Sequence, residues 1–131
     1  MGRLFQVRHA RPVVDPARPP SEWDLDPAGV PLLEQFAGLP HWASACRIVS
    51  SAKPKAFQTA AHIAGRHRLP PPETVGALGE LRKGSFVANH AEVVARAFRQ
   101  PEKPAADGWE TAADALARFS GAVDGLIRSA R

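Results

Sequence analysis

The sequence predicts an α/β fold, a mainly parallel sheet with helices on both faces. Short apolar or β-branched runs at Leu4–Val7, Cys46–Ser50 and Glu73–Val75 have the length of strands rather than helices. Longer segments between and after them carry apolar residues at helical spacing, and strand–helix alternation of this kind feeds parallel pairing. Most of the 13 prolines fall between the periodic segments and punctuate them.

Arg3–Val7 reads as the first strand. It stops at Arg8-His9, and Pro12 forbids a regular strand beyond that point because it has no N–H for a ladder. A proline-rich, charged loop follows to Asp24, and such a loop borders whatever site lies at the strand ends. Asp26-Pro27 then starts a helix, with Asp as N-cap and Pro at the first helical position. It begins afresh near Pro31 and is stopped by Gly38. Cys46–Ser50 is the second strand, β-branched at its centre. Ser51 is the expected N-cap of the next helix, with Pro54 in its first turn. Phe57, Ala60, Ala61 and Ala64 recur on one face of that helix, which is expected to pack on the sheet. Pro70-Pro71-Pro72 forces extended chain, and Glu73–Val75 is a short third strand with Glu80 in a loop beyond it. His90–Arg99 is a helix with Val93, Val94, Ala97 and Phe98 on one side. Thr111 caps the last helix, whose stripe runs through Ala115, Leu116, Phe119, Ala122, Val123, Leu126 and Ile127.

At 131 residues the chain is expected to form one domain with a single core. No run reaches the roughly 18 apolar residues of a membrane span, and no signal pattern precedes Arg8. Cys46 is the only cysteine, which excludes an intrachain disulfide and suits a reducing cytoplasm; in an apolar stretch it reads as an inert buried thiol. The net charge is +4, but the basic residues are spread along the chain and the aromatics, at 7%, show no stacking pattern. A nucleic-acid surface is therefore not expected. No His or Cys spacing suggests a metal site, and no cofactor is implied.

Arg8-His9 sits at the carboxyl end of a strand, where open α/β sheets bind ligands. A guanidinium beside an imidazole suits an anion, and a neutral imidazole can attack phosphorus. Lys55 lies one turn into a helix that starts after the second strand, and Glu80 follows the third. A parallel sheet brings such carboxyl ends to one edge, where the N-terminus of that helix also favours phosphate. Each residue has a plain alternative: a surface Arg-His pair, a solvated helix lysine, an ordinary loop carboxylate. His41, His62 and His67 read as structural.

The chain resembles the histidine phosphatase superfamily, the phosphoglycerate-mutase-like fold. Arg8-His9-Ala10 is similar to the family's "RHG" signature. Ser50-Ser51-Ala52-Lys53-Pro54-Lys55-Ala56-Phe57-Gln58-Thr59-Ala60 is similar to "SSPLxRAxQTA". Leu78-Gly79-Glu80-Leu81-Arg82-Lys83-Gly84 is similar to "LxExxxG", and Gly108-Trp109-Glu110-Thr111 stands where the family has "GES". The resemblance implies a three-layer sandwich and a phosphatase acting on phosphomonoesters or phosphohistidine. It implies His9 as the nucleophile that becomes phosphohistidine and Glu80 as general acid and then base. Arg8 and Lys55 would hold the phosphoryl oxygens, with Arg11, Ser51 and Arg82 as further candidates for substrate contact. No metal or cofactor is implied, and the partner is a phosphorylated small molecule or phosphoprotein.

In two places the chain differs from the family pattern. Lys55 replaces an arginine and lacks its planar fork. The family's second catalytic histidine follows the last helix found here, so the fold is expected to be incomplete relative to the family. Arg3–Val7 is then expected to be left with an unpaired apolar edge, so that either the sheet is rearranged or a second copy of the chain covers it. A non-catalytic phosphate-binding or interaction domain with the same fold is the competing reading. A mutase is disfavoured, since nothing identifies a bisphosphate cofactor.

Overall fold

A computed structural model describes residues 2–130, and they gather into two compact units. One is made of Gln6–Val14 and Glu22–Gly76. The other takes the segment before Gln6, Asp15–Ser21 and the chain from Ala77 onward. The architecture is mixed α/β, with α1 (Val30–Ala37), α2 (Pro54–Arg66), α3 (His90–Arg99), α4 (Ala112–Ser129) and two short strands, β1 (Val49–Ser50) and β2 (Glu73–Thr74). No described helix is long and apolar enough to cross a membrane.

In the first unit, Asp26 is extended and its Oδ1 accepts the Ala28 N–H at 2.9 Å. That satisfies one of the donors a helix start leaves open, and Pro27 supplies a residue with no donor to satisfy. A 3-10 turn at Pro27–Gly29 leads into α1, so the restart expected near Pro31 is a change of helix type. Gly38 ends α1, its N–H reaching the Glu34 carbonyl at 3.0 Å. A second 3-10 turn, Pro40–Ser44, carries Trp42 into the core, where its Nε1 donates to the Phe36 carbonyl at 2.9 Å. Leu33, Ala37, Trp42 and Ile63 form that core, with Ala10, Leu25, Phe36, Ala45 and Ile48 packed around it. Glu34 ties α1 to α2 by binding both Arg66 and His62. His67 Nε2 lies 2.7 Å from the Ala37 carbonyl, so the structural reading of both histidines agrees with their contacts.

β1 and β2 pair in parallel with Val49 opposite Glu73 and Ser50 opposite Thr74. The expected strand Cys46–Ser50 thus contributes only its last residues to a ladder. Extending the register backwards would set Ile48, Arg47 and Cys46 against Pro72, Pro71 and Pro70, none of which has an N–H. Cys46 falls outside the ladder and is exposed, correcting the expectation of a buried thiol. Arg47 instead reaches across to Glu73 with two bonds, at 2.7 and 2.8 Å.

Arg3–Val7 is not a strand. A strand persists only where its backbone groups find a ladder, and no described segment pairs with this one. Leu4, Phe5 and Val7 are accordingly exposed, at 60%, 48% and 38%. Order appears just beyond, where Pro12 bridges Leu25 antiparallel, Val13 N donates to Asp24 O and Asp26 N donates to Arg11 O. Helix α2 also departs from expectation. Its N-cap position is Lys53, with no side-chain cap, and Ser51 Oγ only meets the Lys53 N–H at 3.5 Å. Its buried face runs through Lys55, Thr59, Ala60, Ile63 and Ala64, while Phe57 is exposed. Phe57 points instead to an outer apolar groove lined by Ala61, Gly65, Leu69, Pro71 and Pro72.

In the second unit, Val93, Ala97, Ala105 and Trp109 form the core, with Leu81, Val87, Ala106 and Ala112 against it. Helix α3 spans the residues the periodicity assigns to it, but Phe98 is left exposed. Gly108 has φ +71°, a left-handed conformation that favours glycine, and it lies against Gly84. Thr111 Oγ1 accepts the Asp114 N–H at 3.0 Å and caps α4, as its sequence implies. The apolar stripe of α4 is only half-buried, and Leu116 and Ile127 are exposed.

Candidate active site

Among the described residues, the buried polar and charged side chains are Ser50, Ser51, Lys55 and Thr59. All lie at the carboxyl end of β1 and in the first turns of α2. Polar groups are seldom buried without a partner or a purpose, and here part of the purpose is visible. Thr59 Oγ1 accepts the Ala10 N–H at 3.0 Å and donates to the Lys55 carbonyl at 2.7 Å. One hydroxyl therefore joins the peptide after His9 to the start of α2. Gln58, next to it, receives the Leu25 N–H on Oε1 and donates from Nε2 to Asp24 Oδ1, both at 2.8 Å. The Lys55 N–H bonds to the Trp23 carbonyl at 3.2 Å. The peptide after His9 and the loop at Trp23–Leu25 are thus laced to one helix face.

His9 is half-buried, and its Nδ1 lies 2.7 Å from the Ala10 carbonyl oxygen. A carbonyl only accepts, so Nδ1 carries the proton and a neutral ring keeps its lone pair on Nε2. That is the tautomer a nucleophilic imidazole needs. Arg8, beside it, is exposed. Arg11 pairs with Asp26 at 3.0 Å and is 71% exposed. Asp26 thus both caps the first helical turn and fixes the Arg11 guanidinium.

Lys55 is only 3% exposed, with its ammonium 5.6 Å from the Trp23 ring centroid. Burial disfavours an ammonium, and the first turn of a helix is the wrong end of the dipole for a cation. The Trp23 π face offsets part of that cost. An ammonium at this position has the charge that suits an anion. Ser50 and Ser51 are buried with it, and Ser50 Oγ donates to the Ser51 carbonyl at 2.9 Å.

Glu80 and Arg82 belong to the other unit. Glu80 is exposed and its carboxylate faces Lys83 Nζ at 3.4 Å. Arg82 is exposed too, but its backbone is fixed: its N–H donates to Glu110 Oε2 at 3.0 Å and its carbonyl accepts the Glu110 N–H at 2.9 Å. The Arg118 guanidinium beside Glu110 holds that carboxyl down at about 2, and the Arg82 N–H adds to the effect. Hydrogen bonding to Glu110 raises Arg118 in turn.

The motifs single out Arg8, His9, Lys55 and Glu80 but not the residues that hold them. Gln58 and Thr59 lie inside the Ser50–Ala60 motif, where the sequence alone gives them no role. Arg118 was legible as a charge at helical spacing within the apolar stripe of α4, between Ala115 and Ala122, where only a partnered guanidinium is at home.

The family model of the histidine phosphatase superfamily (branch 1) matches residues 4–131. No curated protein matches the chain.

Proposed function

The chain belongs to the histidine phosphatase superfamily, and from that premise we propose that it is a phosphatase hydrolysing phosphomonoesters or phosphohistidine through a covalent phosphohistidine on His9. Membership supports a phosphoryl-transfer enzyme of the phosphatase or mutase kind. The observation that carries the finer reading is the His9 ring itself. With Nδ1 donating to the Ala10 carbonyl, the neutral ring carries its lone pair on Nε2, the atom that would attack phosphorus.

In the first step Nε2 forms a bond to phosphorus and the ester oxygen leaves with the bonding pair. Glu80, entering as the carboxylic acid, gives its proton to that oxygen. Arg8 and Lys55 balance the charge on the non-bridging oxygens as the loose transition state forms. In the second step Glu80, now a carboxylate, takes a proton from water. The hydroxide attacks phosphorus, the P–N bond breaks, and phosphate and neutral His9 are released. Arg11, Ser51 and Arg82 are the further side chains we assign to substrate contact.

The partner in this reading is a phosphorylated small molecule or phosphoprotein. The parallel β1–β2 pair with α1 and α2 supports a three-layer sandwich as the parent architecture. A single cysteine supports a cytoplasmic setting. The exposure of Leu4 and Phe5 supports coverage of that segment by a second copy of the chain.

The test is direct. Incubation with a labelled phosphodonor and a basic quench should leave an acid-labile, base-stable adduct on His9, lost in His9→Ala. Label on Ser51 instead, or no label from any donor that is turned over, refutes the reading.

A further inference from the structure

Arg118 uses all of its N–H directions on one loop and one carboxylate. Nη1 donates to the carbonyls of Ala77 at 2.7 Å and Gly79 at 2.8 Å, and Nη2 donates to the carbonyl of Glu80 at 3.2 Å. Nε and Nη2 grip Glu110 at 3.0 and 2.9 Å. Glu110 in turn accepts the Arg82 N–H and donates its own N–H to the Arg82 carbonyl. The backbone is therefore held just before Glu80, at Glu80 and just after it. The two side chains are 14% and 12% exposed, so the pair is close to buried.

Holding α4 to this loop does not by itself call for charge. Apolar residues of similar volume commonly replace a buried ion pair with no loss of stability, because desolvation offsets most of the attraction. What a planar fork bonded to three carbonyls and a carboxylate adds is direction: each bond fixes where a backbone oxygen points. The residue whose backbone is fixed from both sides is Glu80. We propose that Arg118 and Glu110 form a positioning pair that sets the backbone of Gly79–Arg82 and thereby aims the Glu80 carboxyl. The inference rests on the reading of Glu80 as the acid/base; neither Arg118 nor Glu110 touches substrate.

Leaving groups separate positioning from simple support of the fold. An alkyl phosphate expels a poor alkoxide and depends on proton donation. p-Nitrophenyl phosphate expels a stable phenolate and depends on it little. In Glu80→Gln, kcat/KM should fall on the alkyl ester by about 10²–10⁴-fold and far less on the nitrophenyl ester. Glu110→Gln and Arg118→Lys should reproduce that selective loss at smaller size, roughly tenfold or more on the alkyl ester. Neither should deepen it when combined with Glu80→Gln. Equal losses on both esters, or none, with Glu80→Gln still selective, overturn the positioning role and leave the acid/base reading standing. A Glu80→Gln variant with no selectivity, or a wild-type protein that turns over neither ester, overturns the acid/base reading and the pair's role with it. Circular dichroism of each variant completes the test, with Arg118→Met as the apolar replacement. Unfolding of all three pair variants marks the pair as a folding element and overturns the proposal, whereas a folded Arg118→Met with the selective loss supports it.

Discussion

Replacing Thr59 by Val isolates one hydroxyl. The two side chains have nearly the same shape and similar helix propensity, so packing against the core side of α2 is kept. The Lys55 carbonyl also keeps an acceptor role, since the helix pattern sets the Thr59 N–H against it. What is lost is the acceptor for the Ala10 N–H, now at 3.0 Å from Oγ1. Thr59 is 4% exposed and Ala10 is half-buried, so water reaches that N–H poorly from the Thr59 side. Leaving a buried donor unpaired costs about 1–3 kcal/mol, and half-burial of Ala10 places the expectation at about 1–2 kcal/mol.

The assay is urea unfolding followed by far-UV circular dichroism, with Thr59→Ser as the variant that keeps the hydroxyl. Thr59→Val should lower the midpoint without changing the slope. The Ala10 N–H belongs to the peptide that follows His9, and the Ala10 carbonyl is the acceptor for Nδ1. Amide exchange at Ala10 should therefore rise in Thr59→Val. Nitrogen chemical shifts of His9 should also move from a single Nδ1-protonated tautomer toward a mixture. A Thr59→Val protein with unchanged midpoint and an Ala10 amide exchanging as slowly as before refutes the argument.

Lys55→Ala should weaken binding of phosphate or vanadate by about 1–3 kcal/mol, the cost of losing a charged hydrogen bond, and Lys55→Arg should bind at least as tightly; titration calorimetry checks both. Glu110, held at about 2 by Arg118, contributes stability that is complete above its ordinary carboxylate range near 4.5 and is lost as pH falls from there through about 2. The full loss is about 3 kcal/mol, and acid unfolding of Glu110→Gln should lack that share of the pH dependence. Gly108→Ala puts a side chain at φ +71° and should destabilise by about 1–2 kcal/mol, read as a fall in Tm of several degrees.

Local chemistry made the helix boundaries legible. Asp26-Pro27, Gly38 and Thr111 with Asp114 announce starts and stops through their own hydrogen bonds, and those bonds are present. Strands were harder, because a strand is a property of two segments. Leu4–Val7 has the composition of a strand and no ladder, whereas Glu73–Val75, less apolar, contributes Glu73–Thr74 to one as expected. The prolines at Pro70, Pro71 and Pro72 carried the missing information, since they decide how much of Cys46–Ser50 can pair. Burial on α2 differs from the apolar periodicity for a related reason. Periodicity of apolar residues points to Phe57, but the inner face is built around Lys55 and Thr59, whose burial depends on Trp23 and Ala10.

The same contrast holds for the site. Arg8, His9, Lys55 and Glu80 stand out in the sequence through the family motifs that carry them. Their supports were missed because Thr59, Gln58, Glu110 and Arg118 are ordinary residues until their partners are known. Yet those supports sit in the same motifs. Gln58 and Thr59 follow Lys55 by one helical turn, which is the spacing that sets them on the face of Lys55. From there each reaches a loop: Gln58 the Asp24–Leu25 backbone and Thr59 the Ala10 N–H. Glu110 is placed one residue before the cap of α4, so that Arg118, two turns along the helix, meets it on the same side. A motif of this kind therefore encodes two demands at once, a reactive group and the bonds that aim it. Substituting the second set should alter geometry and rate while the reactive groups remain in place.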